Sequence, residues 1–235
     1  MNMDIKLLLL AVAPVVALGT AIYLLDRREK EPILLLIKIY FLGALTVIPV
    51  YLIQKIILSF NVFEGILSVV VVAFIVAGLV EEYAKRAVLM NVAYENDNFN
   101  ERIDGVVYSV FSALGFATVE NIMYIMFAYT GNFYVGIMRG VLSVPAHVLF
   151  AITMGYYVSL AKFTDNEKMR KSYLVKSLTV PVLLHGFFNF ILMSKLPTLK
   201  LFFIPFVVYL WIANIIKLSK LSKTRSNNQN YKDKN

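Results

Sequence analysis

Seven long apolar stretches run through the sequence, and they limit the possible folds more than any other feature. A helix must contain roughly 20 apolar residues to cross a bilayer, because the hydrocarbon core is about 30 Å thick and a helix rises about 1.5 Å per residue. The stretches that meet this requirement lie near residues 7–25, 33–58, 66–92, 105–129, 134–161, 173–193 and 199–216. We therefore predict an all-α fold, a polytopic transmembrane bundle of about seven helices embedded in the lipid bilayer.

The composition agrees with a membrane protein and excludes several other classes. Hydrophobic residues make up 59% of the chain and charged residues only 16%, whereas about a quarter of the residues in a soluble domain are charged. The net charge of +8 does not indicate nucleic-acid binding, because six of the cations follow Ile216 in a short polar tail. Cysteine is absent, which excludes a thiolate nucleophile and cysteine-based zinc sites.

The basic residues also predict the domain boundary and the orientation. We predict a transmembrane domain over residues 1–217 and a disordered, basic cytoplasmic tail over residues 218–235. The first, third and fifth loops contain Lys and Arg, whereas the second and fourth loops, residues 59–65 and 130–133, contain none. Because cytoplasmic loops are enriched in these cations, the N-terminus should lie outside and the C-terminus in the cytoplasm.

The third apolar stretch carries four charges, although a membrane helix normally has none at this depth. Glu81 and Lys85, and likewise Glu82 and Arg86, are spaced at i and i+4 with the acid first, so two ion pairs are expected. A single pair would only lower the free energy of placing charge in lipid. Two adjacent carboxylates near the middle of the bilayer also repel each other, which is the environment that a general acid or base requires.

Further polar groups lie deep in the next three stretches. Glu120 and Asn121 have no cation nearby in sequence, so Glu120 must be protonated or find a partner on another helix. The only two histidines, His147 and His185, lie about midway along the fifth and sixth stretches, and Asn189 follows His185 by one helical turn. Because charges that face lipid are costly, we expect these groups to converge on a shared interior cavity.

Other polar residues at membrane level have ordinary structural explanations. Lys38, Lys55 and Arg139 lie near predicted helix ends and can extend to the headgroups. Asp104 stands where a helix begins and is expected to be its N-cap. Gln54 is expected to form an interhelical hydrogen bond. The candidate site is thus confined to the third to sixth stretches.

The chemistry of the candidate residues suits hydrolysis. A carboxylate can take a proton from water, an imidazole can deliver one to the leaving amine, and an amide N–H can stabilise an oxyanion. The zinc-protease motif HExxH is absent. Two non-enzymatic alternatives stay open. Buried Glu and His form proton relays in proton-coupled transporters, although no inverted repeat supports this, and the chain could be a non-catalytic scaffold.

Four motifs in order resemble the PrsW family of bacterial membrane proteases. They are EExxK at residues 81–85, FxxxEN at residues 116–121, His147, and His185 followed by Gly186. The resemblance extends over nearly the whole chain except the tail. The chain is also similar to the CAAX-processing prenyl endopeptidases and related bacteriocin-processing proteases, whose EExxxR and late HxxxN motifs are completed here by Arg86 and Asn189.

This resemblance implies an intramembrane endopeptidase of the bacterial cell membrane. Its expected substrate is a single-pass anti-sigma factor, which it would cut first (site 1) and on the extracytoplasmic side, so that a stress-response sigma factor is released. In the CAAX-related group, glutamate and histidine are thought to activate water without metal, so no cofactor is predicted. Some classifications place PrsW among the metallopeptidases, and the alternative is a zinc ion held by His147, His185 and Glu81.

The mechanistic hypothesis assigns a role to each candidate residue. Glu81 is the general base that activates water, and His185 shares that role or protonates the leaving nitrogen. Glu82 orients the site through Arg86, while Lys85 tunes the charge of Glu81. Glu81 and Glu82 are nearly equal candidates for the base, because adjacent helix positions differ by about 100° in direction. The residues expected to orient or stabilise the oxyanion are Glu120, Asn121, His147 and Asn189.

Overall fold

The computed structural model describes residues 3–26, 29–128 and 132–232, and every regular element within these ranges is a helix. Seven helical spans are long and apolar enough to cross a bilayer. They are Ile5–Leu25, Ile33–Ser59, Gly65–Val92, Asp104–Phe127, Phe133–Lys162, Glu167–Met193 and Pro197–Leu221. The predicted all-α class and the seven spans are therefore confirmed, and the protein is a multi-pass membrane protein.

Within the described residues the spans are assembled from eleven α-helices and three π-helical segments. In chain order the α-helices are α1 (Met3–Leu25), α2 (Ile33–Leu45), α3 (Val47–Ser59), α4 (Gly65–Val70), α5 (Val80–Val92), α6 (Asp104–Met123), α7 (Phe133–Met138), α8 (Val144–Lys162), α9 (Glu167–Met193), α10 (Pro197–Leu201) and α11 (Phe203–Lys232). The π-helical segments are Val71–Leu79, Tyr124–Ala128 and Arg139–Ser143. The second span is interrupted between α2 and α3, where Pro49 has no N–H to donate to Leu45 O.

The π-helical segments adjoin the candidate site residues. Each lies within about one helical turn of a candidate residue: the first ends at Leu79 before Glu81, the second begins at Tyr124 after Asn121, and the third ends at Ser143 before His147. A π-helical turn is wider than an α-helical turn and occurs frequently at functional sites. The wider turns change the direction in which the following side chains point, so they help to decide which side chains meet.

The inner helices of the bundle approach one another closely. α6 packs against α1, α2, α5 and α8, and α8 packs in turn against α9. A Cβ atom on Gly115 of α6 would lie 1.9 Å from Tyr40 O of α2, and one on Gly155 of α8 would lie 2.2 Å from Gly105 O of α6. Such backbone contacts are possible only with small residues at these positions. They hold α6 and α8, which carry Glu120 and His147, in the middle of the bundle.

A buried acidic cluster lies where the loop before the second span meets the start of α6. Oxygen atoms of Asp26, Glu31 and Asp104 lie within 4.8 Å of one another, and all three residues are buried. The Tyr108 hydroxyl donates a hydrogen bond to Glu31. Burial raises the pKa of Glu31 to about 7, and the neighbouring charge of Asp26 adds to this effect.

Asp104 does not have its predicted role as an N-cap. It is the first residue of α6, and Ile103 occupies the N-cap position. The Asp104 Oδ2 atom accepts the backbone N–H groups of Asn100 and Glu101, at 3.0 and 2.6 Å. A side chain at the start of a helix points back toward the N-terminus, so this carboxylate stabilises the preceding turn instead.

The C-terminal helix passes the predicted domain boundary. The seventh span ends at Leu221, whereas α11 continues to Lys232. The division into a transmembrane domain over residues 1–217 and a cytoplasmic tail over residues 218–235 stays a prediction, as does the orientation of the termini.

Candidate active site

One buried polar cluster joins four helices, and we term it the Glu/His cluster. It consists of side chains from α5, α6, α8 and α9, namely Glu81, Glu82, Lys85, Glu120, His147 and His185. Five of these residues are at most 5% exposed, and the Glu120 side chain is 20% exposed. The helices thus bring together all five residues that were predicted to be catalytic, together with Lys85.

The Lys85 ammonium group lies at the centre of the cluster. Its Nζ atom is 2.8 Å from Glu82 Oε1, 3.4 Å from Glu81 Oε2 and 3.0 Å from His147 Nδ1. It also lies 4.3 Å from the centroid of the Phe116 ring, which is a cation–π contact. A buried charge requires such a set of partners, because an isolated charge in an apolar medium is very costly. Lys85 therefore compensates two carboxylates and contacts an imidazole at the same time.

Each histidine is oriented by a different glutamate. His185 Nδ1 lies 2.9 Å from Glu82 Oε1, and His147 Nε2 lies 3.0 Å from Glu120 Oε2. An ammonium group can only donate, so His147 Nδ1 accepts from Lys85 and the ring proton of His147 is on Nε2. The His147 tautomer therefore follows from its two partners, as is usual for a histidine in a hydrogen-bonded site.

Glu81 lies between Gln54 and His185. Gln54 Nε2 donates to Glu81 Oε1 at 3.2 Å and to Val76 O, in the first π-helical segment, at 3.0 Å. Glu81 Oε2 lies 4.0 Å from His185 Nε2, which is too long for a hydrogen bond. Because Nδ1 of His185 donates to Glu82, its Nε2 presents a lone pair on this side. An interhelical hydrogen bond was predicted for Gln54, but the prediction did not identify Glu81 as its acceptor.

The predicted ion pair between Glu82 and Arg86 is not formed. Glu82 pairs instead with Lys85, three residues on, and with His185 of α9. The Arg86 side chain points toward the first turns of α9, where Nε donates to Ser177 Oγ at 2.8 Å and Nη2 donates to a backbone carbonyl at 3.2 Å. The prediction was wrong because it considered one helix alone, whereas His185 on a neighbouring helix competes for Glu82.

Glu120 pairs with Arg139, a cation that we expected at the headgroups. Arg139 Nη2 lies 3.0 Å from Glu120 Oε2, and Arg139 Nε donates to Asn121 Oδ1 at 2.9 Å. The headgroup prediction was wrong, since the Arg139 side chain is only 14% exposed. Charge balance is the signal that could have revealed this pair, because Glu120 needed a cation on another helix and Arg139 precedes the helix that carries His147.

Neither asparagine lies at the centre of the cluster. Asn121 is fully buried, and its Nδ2 donates to Ala11 O of α1 at 2.9 Å while its Oδ1 accepts from Arg139. Asn189 is half-buried on α9, one turn beyond His185, and no hydrogen bond joins it to the cluster within the part of the chain that the structure describes. The oxyanion roles expected for both asparagines stay predictions.

The donor atoms of the cluster fit a zinc ion. Glu81, His147 and His185 each offer a ligand atom, and these atoms lie within 4.8 Å of one another. Two imidazoles and a carboxylate are a common set for catalytic zinc. One ring nitrogen of each histidine is hydrogen-bonded to a glutamate, which is the supporting contact that metal-ligating histidines usually have. The nitrogen of His147 that remains, Nδ1, lies 3.0 Å from Lys85 Nζ, so zinc would have to displace the ammonium group from it. In addition, Glu82 Oε2 is buried and has no hydrogen-bond partner among the described residues.

Comparison with known proteins identifies the family. The family model described as PrsW family intramembrane metalloprotease matches residues 31–215, a range that includes the whole Glu/His cluster. The chain belongs to the PrsW family. Protease PrsW of Clostridioides difficile (strain 630) is 44% identical over 220 residues, which cover 93% of this chain and 92% of that protein. Protease PrsW of Bacillus subtilis (strain 168) is 36% identical over 209 residues, covering 89% and 92%. No solved structure matches the chain.

Membership of the PrsW family establishes that the protein is a peptidase of the membrane. It confirms the resemblance seen in the sequence motifs, and it decides against the transporter and scaffold alternatives. The description of PrsW proteins as metalloproteases also favours the zinc alternative over the metal-free prediction. With its seven spans, this PrsW protein acts in the lipid bilayer.

Proposed function

We propose that the protein makes the first (site-1) cut in a single-pass membrane anti-sigma factor. The observation that supports it best is the Glu/His cluster, in which three carboxylates, two imidazoles and an ammonium group are linked across four helices. A structural ion pair needs only two such groups, whereas peptide hydrolysis needs an acid, a base and a group that offsets charge. The substrate class follows from the family resemblance.

Water cleaves the peptide bond in this proposal. Glu81 takes a proton from the attacking water, whose oxygen bonds to the carbonyl carbon. His185 Nε2, 4.0 Å from Glu81 Oε2, receives that proton and delivers it to the leaving nitrogen as the C–N bond breaks. The Lys85 ammonium group offsets the negative charge that develops on the carbonyl oxygen. The products are a carboxyl group and an amine, so one water molecule is consumed.

Zinc would change the roles of the two glutamates. Glu81, His147 and His185 would hold the ion, which when bound supplies a Lewis acid that polarises the carbonyl and activates water. Glu81 is then a ligand. Glu82, with its unpartnered Oε2, is the carboxylate that remains to move a proton. In both versions Glu82 orients His185 and Glu120 orients His147.

The distribution of loop cations supports a membrane orientation with the N-terminus outside and the C-terminus in the cytoplasm of a bacterial cell. In this orientation Glu81 lies nearer the cytoplasmic end of its span, and His185 lies nearer the outer end of its span. Both belong to one cluster and share one depth, which is therefore near the middle of the bilayer. A cut on the extracytoplasmic side then requires that the substrate segment enters the bilayer.

Co-expression in a host that lacks PrsW proteins tests the proposal. An epitope-tagged single-pass anti-sigma factor is combined with the wild type, with Glu81→Gln, or with Lys217→Gln, at equal membrane levels. Lys217 donates to Thr153 Oγ1 outside the cluster and serves as the matched control. We expect a discrete fragment with the wild type and the control, and a rate at least about 100-fold lower with Glu81→Gln.

Two results would refute parts of the proposal. Equal cleavage by Glu81→Gln and wild type would remove Glu81 from the mechanism. A wild type that cuts none of a panel of single-pass anti-sigma factors would refute the substrate class. The zinc content of the purified variants separates the two roles of the glutamates, since Glu81→Gln should lose bound zinc, whereas Glu82→Gln should still bind zinc, with lower affinity, while losing activity.

A further inference from the structure

Arg139 lies at the edge of the Glu/His cluster, at the start of the π-helical segment that leads into α8. Its planar guanidinium group contacts both side chains of the neighbouring pair Glu120 and Asn121. Nη2 lies 3.0 Å from Glu120 Oε2, and Nε donates to Asn121 Oδ1 at 2.9 Å. The two N–H donors of the guanidinium group thus fix two adjacent side chains of α6 at once, which the single ammonium group of a lysine cannot reproduce.

A single carboxylate oxygen links Arg139 to His147. Glu120 Oε2 lies 3.0 Å from Arg139 Nη2 and 3.0 Å from His147 Nε2. His147 Nε2 carries the ring proton, because Nδ1 accepts from Lys85. Lys85 and Glu120 together fix this tautomer, and the position of the Glu120 carboxylate sets the orientation of the His147 ring.

Arg139 is itself held on several sides. Its guanidinium carbon lies 3.9 Å from the centroid of the Tyr124 ring, and Asn121 is anchored by a 2.9 Å hydrogen bond to Ala11 O. The side chain is 14% exposed. A cation that only secured a helix in the membrane would need one partner. Arg139 instead contacts Tyr124, Asn121 and Glu120, and the last of these holds His147.

We propose that Arg139 is a positioning residue that fixes the orientation of the His147 ring through Glu120. The link to catalysis rests on the proposed function, in which His147 belongs to the active site. Without Arg139 the Glu120 carboxylate is no longer held against His147 Nε2, so the His147 ring loses its support on the side opposite Lys85. Loss of such a supporting contact typically lowers activity or metal affinity about 10–100-fold.

Nitrogen NMR of the full chain in nanodiscs tests the positioning step without any substrate. The chain has only two histidines, so ¹⁵N-histidine labelling shows two imidazole rings, and His185→Gln identifies the signals of His147. We expect the Nε2–H tautomer of His147 in the wild type. We expect the His147 Nε2–H signal to shift in Arg139→Gln because its hydrogen bond to Glu120 weakens, the same change in Glu120→Gln, and an unchanged spectrum in the control Lys217→Gln.

Kinetics and zinc binding test the consequence for the site. Arg139→Gln should lower kcat about 10–100-fold while KM changes less than about threefold, and zinc affinity, measured by competition with a chromophoric chelator, should fall by a similar factor. Arg139→Lys keeps the charge but lacks the planar guanidinium group with its two donors, so it should recover only part of kcat. A purely structural role would instead lower Tm and leave the His147 Nε2–H signal, kcat and KM of the folded protein unaltered.

The outcomes separate this proposal from the proposed function. An unchanged His147 spectrum in a folded Arg139→Gln protein overturns the positioning role, whatever the activity. Where Arg139→Gln does not fold, the spectrum of Arg139→Lys decides in the same way. A wild type that cleaves no substrate overturns the proposed function alone, because the spectra still decide whether Arg139 positions His147.

Discussion

Replacing Lys85 by methionine tests the electrostatics of the cluster most severely, because it keeps an unbranched side chain and removes the charge. The Lys85 side chain is 1% exposed and its Nζ lies within 3.4 Å of both Glu81 and Glu82. Removing one partner of a buried ion pair typically costs about 3–5 kcal/mol, since the remaining charge is left uncompensated. In a chain of 235 residues about 1 kcal/mol lowers Tm by roughly 2–4 °C, so the expected fall is on the order of 10 °C.

Thermal unfolding in one detergent, followed by circular dichroism, measures this effect in a double-mutant cycle. Glu82→Gln removes the nearest carboxylate, so Lys85→Met should be less damaging in that background, with an interaction energy of about 1–3 kcal/mol. Gln54→Leu, which removes a hydrogen bond from an uncharged donor to Glu81, provides a smaller reference effect. The reasoning fails if Lys85→Met melts within about 2 °C of the wild type, or if the two substitutions at Lys85 and Glu82 are additive.

Three further predictions concern pH, metal and packing. Burial raises the pKa of Glu31 from its ordinary value of 4.5 to about 7, so the stability linked to its neutral form is present below pH 4.5 and is lost as the pH rises through 7. The free energy of unfolding should therefore fall by at most about 3 kcal/mol between pH 5 and 8, which lowers Tm. Glu31→Gln should flatten this pH dependence. A zinc chelator should abolish cleavage by the purified protein and added zinc should restore it, whereas activity that survives proven metal removal contradicts the zinc set. Gly115→Ala should prevent stable folding, because its Cβ would lie 1.9 Å from Tyr40 O, whereas Gly140→Ala, whose Cβ would lie 3.5 Å from its nearest neighbour, should melt like the wild type.

The spans and the inward location of the polar groups could be predicted because the bilayer imposes both. Its thickness fixes the length of an apolar helix, so the predicted stretches at residues 33–58 and 66–92 differ little from the spans Ile33–Ser59 and Gly65–Val92. The absence of water in the hydrocarbon core forces charges to meet inside the bundle. This is why the distant residues His147 and His185 could be placed near the glutamates without knowledge of any helix contact.

The partners of individual charges could not be predicted, because they depend on how the helices are rotated against one another. Glu82 could pair with Arg86 by helical spacing, yet it pairs with His185, which is 103 residues away. Arg139 stood near a helix end, and only its approach to Glu120 in space distinguishes it from a cation at the headgroups. The π-helical segments beside these residues shift the direction of the side chains, and apolar periodicity carries no signal for them.

The charges of the cluster lead to one last consequence for its stability. Three carboxylates (Glu81, Glu82 and Glu120) contact two fixed cations (Lys85 and Arg139), so one negative charge remains when all three carboxylates are ionised and both imidazoles are neutral. An unbalanced charge in an apolar interior is costly, and a single ion pair per carboxylate would have avoided it. A cation that binds the fully ionised cluster offsets this charge and stabilises the fold. Zinc at a concentration 100 times its Kd should therefore increase the free energy of unfolding by about 2.7 kcal/mol, which is measured as a higher Tm. Glu81→Gln should remove this increase together with the excess charge.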